Sequence, residues 1–196
     1  MNLHTITAAA LVAATAIGAS TGIAAAKSYT AFLNDDQTVP SFTSSATGTA
    51  TLFVDEADET LDFSLSVTGI SLDDLWDTLV AAPVGPLHLH NNVVGATGPI
   101  VIPFAFGPTY TNTADGFELT VMDYAFADAI ALSGAAVTFA EFVAGLDAEA
   151  YYANIHTDFA NPGEIRGQLS AVPVPAVGLM LLGAMGGLAA LRRRAA

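Results

Sequence analysis

Apolar and polar residues alternate most regularly over Leu61-Asp62-Phe63-Ser64-Leu65-Ser66-Val67, where every odd position is apolar and every even one polar. A period of two is that of a β-strand with one buried face. Residues 46–54 read as a second strand, with Thr47, Thr49 and Thr51 on one face. The charged run 55–59 between them is a turn, so the two strands form a predicted hairpin. Residues 28–33 alternate more loosely and predict a first strand, which Thr38-Val39-Pro40 breaks, since proline suits an edge or a loop. Further strands are predicted over 85–91, 99–106 and 117–121, with a polar loop over 107–116. Residues 122–134 carry no decisive pattern. Two short helices are predicted. One opens at Ser71 as N-cap, covers about residues 72–80 and uses Trp76 as a plug on the core. The other opens with the capping box Thr138-Phe139-Ala140-Glu141 and runs over about 138–146.

The most informative stretch is residues 151–169. Ala153 and Ile155 alternate with Tyr152, Asn154 and His156, and Ile165 and Leu169 alternate with Glu164, Arg166 and Gln168. Asn161-Pro162-Gly163 between them is turn chemistry, because proline presets φ and glycine accepts a positive φ. This predicts a hairpin with one buried, apolar face and one polar face. Arg166 is the only arginine before the C-terminal tail, and a pairing with Glu164 or with a carboxylate across the sheet is expected.

Charge divides the chain into three. Residues 1–26 and 172–196 hold no acidic residue. The segment 27–171 holds all 19 acids and only Lys27 and Arg166 as cations, a net charge of −17. Such a segment repels nucleic acid and anionic lipid surfaces. It is long enough for one domain with its own core. There is no cysteine, which excludes disulfides, thiolate metal sites and cysteine nucleophiles. An exported domain without disulfides depends on its core and its sheet ladders, so a sandwich or barrel of adequate size is the natural solution. The expected fold is all-β, an antiparallel Greek-key β-sandwich with two short helical insertions.

The two ends read as processing signals. Residues 8–16 are apolar and small, and Ala24-Ala25-Ala26 is an A-x-A cleavage site, so residues 1–26 are read as a secretory signal peptide. Residues 172–196 comprise Val172-Pro173-Val174-Pro175-Ala176, an apolar stretch to Leu191, and Arg192-Arg193-Arg194. The arginines orient such a helix with its C-terminus in the cytoplasm.

Two resemblances follow from these motifs. The Tyr-x-Asn-x-His-Thr strand at Tyr152 to Thr157 and the Pro-Gly-Glu-x-Arg-Gly-Gln run at Pro162 to Gln168 resemble the closing motif of the CHRD domain. His88-Leu89-His90 with Gly98-Pro99 resembles a second element of that family, from which the chain departs at Asn92, where the family commonly has glycine. The resemblance covers about residues 28–170 and implies an all-β extracellular domain, without implying an activity. The tail resembles the PEP-CTERM class of sorting signals in its Val-Pro-Leu-Pro-Ala variant, with Val174 in the leucine position. That implies transient insertion in the inner membrane, processing near Pro173, Pro175 and Ala176 by an exosortase-type protease, and delivery to the envelope surface or beyond.

His88 and His90 lie two apart on one strand face, with Leu87 and Leu89 on the other. His156 is the only other histidine of the segment 27–171. Three imidazoles from neighbouring strands make an N3 site suited to copper or zinc, to which Glu164 and Asp158 can add oxygen. The other reading of the same residues is that they hydrogen-bond to main chain and brace the motif loops. No Gly-x-Ser-x-Gly elbow, His-Glu-x-x-His, P-loop or dinucleotide fingerprint is present. Two functions follow as expectations: a non-enzymatic surface or matrix module among exopolysaccharide, and a metal-binding or redox domain on His88, His90 and His156. Mass spectrometry of native protein is expected to show residues 1–26 removed and the tail cut near residues 172–176. A native product ending in Ala196 would make the tail a permanent anchor instead.

Overall fold

The structure, a computed structural model, describes residues 26–173. It is mostly β, and every paired strand is antiparallel. One sheet has six strands, β1 (Lys27–Leu33), β2 (Thr47–Asp55), β3 (Thr60–Thr68), β6 (Tyr110–Asn112), β7 (Gly116–Ala125) and β10 (Ser170–Ala171), in the order β10-β1-β2-β3-β7-β6. The other has four strands, β4 (Leu87–Asn91), β5 (Ile100–Phe104), β8 (Tyr151–Ile155) and β9 (Ile165–Gln168), in the order β5-β4-β8-β9.

The alternating hairpin is there as the pattern requires. Ala50, Leu52 and Val54 on β2 and Leu61, Phe63, Leu65 and Val67 on β3 are buried, and the threonine face points outward. Phe63 stacks on Phe104 of the second sheet, ring centroids 4.4 Å apart, so the two sheets share one core. The sheets also meet at an edge. Beyond β1, Asn34 exchanges two main-chain hydrogen bonds with Arg166 of β9. After Leu169 the same chain pairs with β1 again as β10. The final strand thus closes the second sheet and then crosses into the first.

Four sequence expectations change. The helix over 72–80 breaks into a 3-10 turn (Leu72–Asp74) and α1 (Asp77–Val80). Between them Leu75 bridges Thr157, and the Trp76 amide donates to His156 O, contacts that an unbroken helix cannot make. Leu75, not Trp76, is the buried plug, and Trp76 stays half-buried beside His156. The polar loop 107–116 contains the short strand β6. Residues 122–134 are the end of β7 and α2 (Phe126–Ser133), so the insertions exceed two. The helix predicted from the capping box is α3 (Phe139–Asp147), with Thr138 and Glu141 bonded reciprocally.

The fourth change matters most. The terminal hairpin is not half-buried: all of Tyr151–Ile155 is buried, and so are His88, His90, His156 and Arg166. Leu87, Leu89, Ala153, Ile155 and Ile165 face the core. The polar face of the same strands is covered by residues 91–99 and 156–164. Among the described residues no helix is long and apolar enough to cross a membrane. Ala26 and Pro173 lie exposed at the two limits. Ala24, Pro175, Ala176, the apolar stretch and the arginine cluster fall outside the described residues.

Candidate functional site

The polar face of the second sheet is built by strand register. β4 pairs with β8 so that His88 lies opposite Asn154 and His90 opposite Tyr152. β8 pairs with β9 so that Asn154 lies opposite Arg166 and Tyr152 opposite Gln168. His156 follows directly, its amide bonded to Pro86 O at 2.9 Å. Alternation then puts all these side chains on one face.

Three of them converge. His88, His90 and His156 each offer a ring nitrogen, and these atoms lie within 4.8 Å of one another. Ring centroids are 5.2 Å apart for His88 and His90, 4.8 Å for His88 and His156, and 5.8 Å for His90 and His156. Their exposures are 1%, 8% and 7%.

Hydrogen bonds fix two of the tautomers. His90 Nδ1 is 2.9 Å from Gly98 O, and His156 Nδ1 is 2.6 Å from Asn161 O. A carbonyl only accepts, so both Nδ1 atoms carry hydrogen and both Nε2 atoms keep a lone pair. The Nε2 of His90 and both ring nitrogens of His88 are buried with no hydrogen-bond partner. His156 Nε2 accepts an N–H from the Asn154 amide at 3.1 Å, and the same nitrogen of Asn154 donates to Pro162 O. Asn161 is held in turn. With its amide oriented to satisfy both ends, its oxygen accepts from Trp76 Nε1 at 3.1 Å.

Burial keeps the imidazoles neutral. It pushes the His88 pKa down to about 2, helped by His156 and His90. The Gly85 main chain favours the charged form only slightly, since it lies outside hydrogen-bond geometry. Burial also pushes His90 down to about 4, against the opposing bond to Gly98 O, with His156 and Arg166 adding to the fall. His156 is lowered by burial, in opposition to its Asn161 bond.

Beside the histidines the other motif residues grip one loop. Arg166, 2% exposed, donates from its two terminal nitrogens to Ala96 O (2.7 Å) and Val93 O (3.0 Å). Gln168 Nε2 donates to Asn92 O, and Tyr152 OH accepts from the Gly98 amide. Tyr152 sits between β4 and β9. The Arg166 guanidinium lies 3.3 Å above its ring centre, and the His90 ring stacks on it at 5.0 Å, nearly parallel. The loop 92–98 is thus bound to the hairpin through its main chain. The turn 157–163 is bound through Asn154 and His156. At Gly163 φ is +131°, and a Cβ would lie 2.1 Å from Asn154 Oδ1, so glycine lets the turn close over the amide.

Two expectations about charge are overturned. Arg166 pairs with carbonyl oxygens, not with Glu164. Both Glu164 oxygens are taken by hydroxyls at 2.7 Å, from Ser44 and Thr157. For the same reason Glu164 is not an oxygen ligand. Asp158 is exposed and accepts from the Asp77 amide, so neither acid joins the histidine cluster. The sequence reading missed the roles of Trp76 and Asn161 behind His156. It also missed the placement of Asn154 against His156 Nε2.

The chain matches the CHRD domain over residues 29–169. It belongs to the CHRD domain family. A comparison with curated proteins found no match. In this CHRD domain the His-x-His strand and the closing hairpin are thus one structure, adjacent and with their polar residues in mutual contact.

What the arrangement can do follows from its donors. Three neutral imidazoles facing one point can ligate a metal, with two of them oriented by carbonyls behind, as metal-binding histidines commonly are. Ligation at about 2.0–2.1 Å brings the nitrogens to about 3.4 Å of one another, which ring rotations of roughly an ångström achieve. Acid tests the burial. Each histidine has a folded pKa below its unfolded value, so its contribution to stability is complete above about pH 6.5. That contribution is lost as pH falls toward the folded pKa. Metal-free protein is expected to lose up to about 1.4 kcal/mol per pH unit for each of His88 and His90 between pH 6.5 and 4, with His156 acting in the same direction. Urea midpoints measured across that range check it. Replacing all three histidines with glutamine should flatten the profile, and an unchanged slope would show that the imidazoles are not the titrating groups.

Proposed function

We propose that this is an exported CHRD-domain protein that holds one copper or zinc ion through His88, His90 and His156. One observation carries the reading: three buried, neutral imidazoles offer nitrogens within 4.8 Å of one another, and those of His88 and His90 Nε2 have no other partner among the described residues, while His156 Nε2 accepts only from the Asn154 amide. Leaving such atoms buried and unpaired costs about 1–3 kcal/mol each, a cost that ligation removes at one nitrogen of His88 and at His90 Nε2. The signal-like N-terminus and the tripartite tail support export, sorting by an exosortase-type protease and residence at the envelope surface or outside the cell.

A second reading, a non-enzymatic module packed among exopolysaccharide, has its own support. The outer face of the large sheet carries a row of hydroxyls in direct register, Ser170, Thr30, Thr51, Ser64 and Thr120. Phe32 and Phe53 stand exposed on the same face. The two readings are compatible, since the histidines and this face belong to different sheets. Elemental analysis of the purified protein tests the first. About one equivalent of copper or zinc is expected after loading and dialysis. It should be lost when His88, His90 and His156 are all replaced by alanine, with far-UV circular dichroism confirming the fold. Equal metal content in the wild type and a folded triple variant would refute it and leave the matrix module.

A further inference from the structure

We propose that the three-histidine cluster selects monovalent copper, Cu(I), over divalent ions; this rests on the metal reading above. Charge and coordination number around the three nitrogens both favour the monovalent ion.

The donors are all neutral. His90 and His156 spend their N–H groups on Gly98 O and Asn161 O, and His88 has no polar partner. No carboxylate joins them among the described residues. Glu164 is closed by Ser44 and Thr157, and Asp158 is exposed. A bound ion would therefore keep its whole charge in a site whose ligands are at most 8% exposed. The cost of burying an ion scales with the square of its charge, so a divalent ion is penalised about fourfold more than a monovalent one.

A buried positive charge that acts on His90 makes this worse. Among the described residues Arg166 has no carboxylate partner; it is buried and lies over the Tyr152 ring that stacks on His90. Its bonds go to two carbonyls, which orient the guanidinium but do not neutralise it. A second positive charge on the ion faces this cation; a single one does so at lower cost.

Coordination number points the same way. Three nitrogens complete a trigonal site for Cu(I), whereas zinc takes a fourth ligand and Cu(II) prefers a tetragonal set. The side chain best placed to be a fourth ligand is Asn154. It turns its NH2 toward His156 and Pro162 O, and its oxygen toward Gly163. An amide held that way offers an N–H, not a ligand atom, and its N–H keeps only the bond to Pro162 O when His156 Nε2 turns to the ion.

The test uses the full-length chain in detergent under anaerobic conditions. Cu(I) is supplied from its bicinchoninate complex, and Zn(II) and Cu(II) are titrated separately against chelators of known affinity. Cu(I) is expected to bind more tightly than Zn(II) by about 100-fold or more. Two variants read the cause. Arg166→Met removes the facing cation and should narrow the ratio about tenfold by raising the divalent affinity. Asn154→Asp, nearly the same size, places an anion beside His156 and should raise Zn(II) affinity about tenfold even if the arginine variant fails to fold. Zinc binding as tight as Cu(I) in the wild type overturns the inference and leaves the three-histidine site standing. No binding of any of the three ions overturns the metal reading itself.

Discussion

A buried guanidinium that bonds to main chain is the constraint on which the polar half of this structure depends. Arg166 sits at the point where the second sheet meets the first, and its own backbone pairs with Asn34 of the strand beyond β1. Its side chain faces the other way and holds two carbonyls of the loop 92–98. Hydrogen bonds from a charged donor are worth about 1.5–3 kcal/mol each, and removing one partner of a buried charge costs more. Through Tyr152 the same side chain fixes the plane on which His90 stacks. The loop it holds supplies Gly98 O, which sets the His90 tautomer. The arginine therefore acts on the histidines without touching them.

That arrangement separates two roles that the sequence presented as alternatives. Each of His90 and His156 braces a loop with Nδ1, which leaves Nε2 of His90 unpaired and Nε2 of His156 accepting from the Asn154 amide. The bracing bonds select the tautomer that leaves the inner nitrogen basic. His88 has no bracing bond and lies at the centre with both nitrogens unpaired, which is the strongest departure from the rule that buried polar atoms are satisfied. The match to the CHRD domain over residues 29–169 takes in every residue that builds this face.

The features legible in the sequence were those carried by local pattern. Period-two alternation located β2, β3, β8 and the start of β7, and Thr138 with Glu141 located α3. The convergence of the histidines was also legible, because i and i+2 share a strand face and neighbouring strands lie about 4.8 Å apart. What was not legible depended on distant partners. The break after Asp74 comes from pairing with Thr157 and His156. β6 exists only against β7. α2 lacks a side-chain N-cap, and its first amide is satisfied by Glu59 O from another turn. Arg166 has partners in the loop, but carbonyls carry no residue identity, so the sequence drew attention to Glu164 instead. Burial of the polar face was hidden for the same reason: the loops that cover it are bound through their main chain.

The fold holds three neutral imidazoles together, with the tautomers of His90 and His156 set by carbonyls. Long-range 15N–1H correlation spectra of the metal-free protein at neutral pH test this most directly, because ring-nitrogen shifts separate the two tautomers and the imidazolium. The account predicts that His90 and His156 both appear as Nδ1–H tautomers, that His88 is neutral, and that none of the three titrates near pH 6.5. Imidazolium shifts at neutral pH, or hydrogen on Nε2 of His90 and His156, would contradict it.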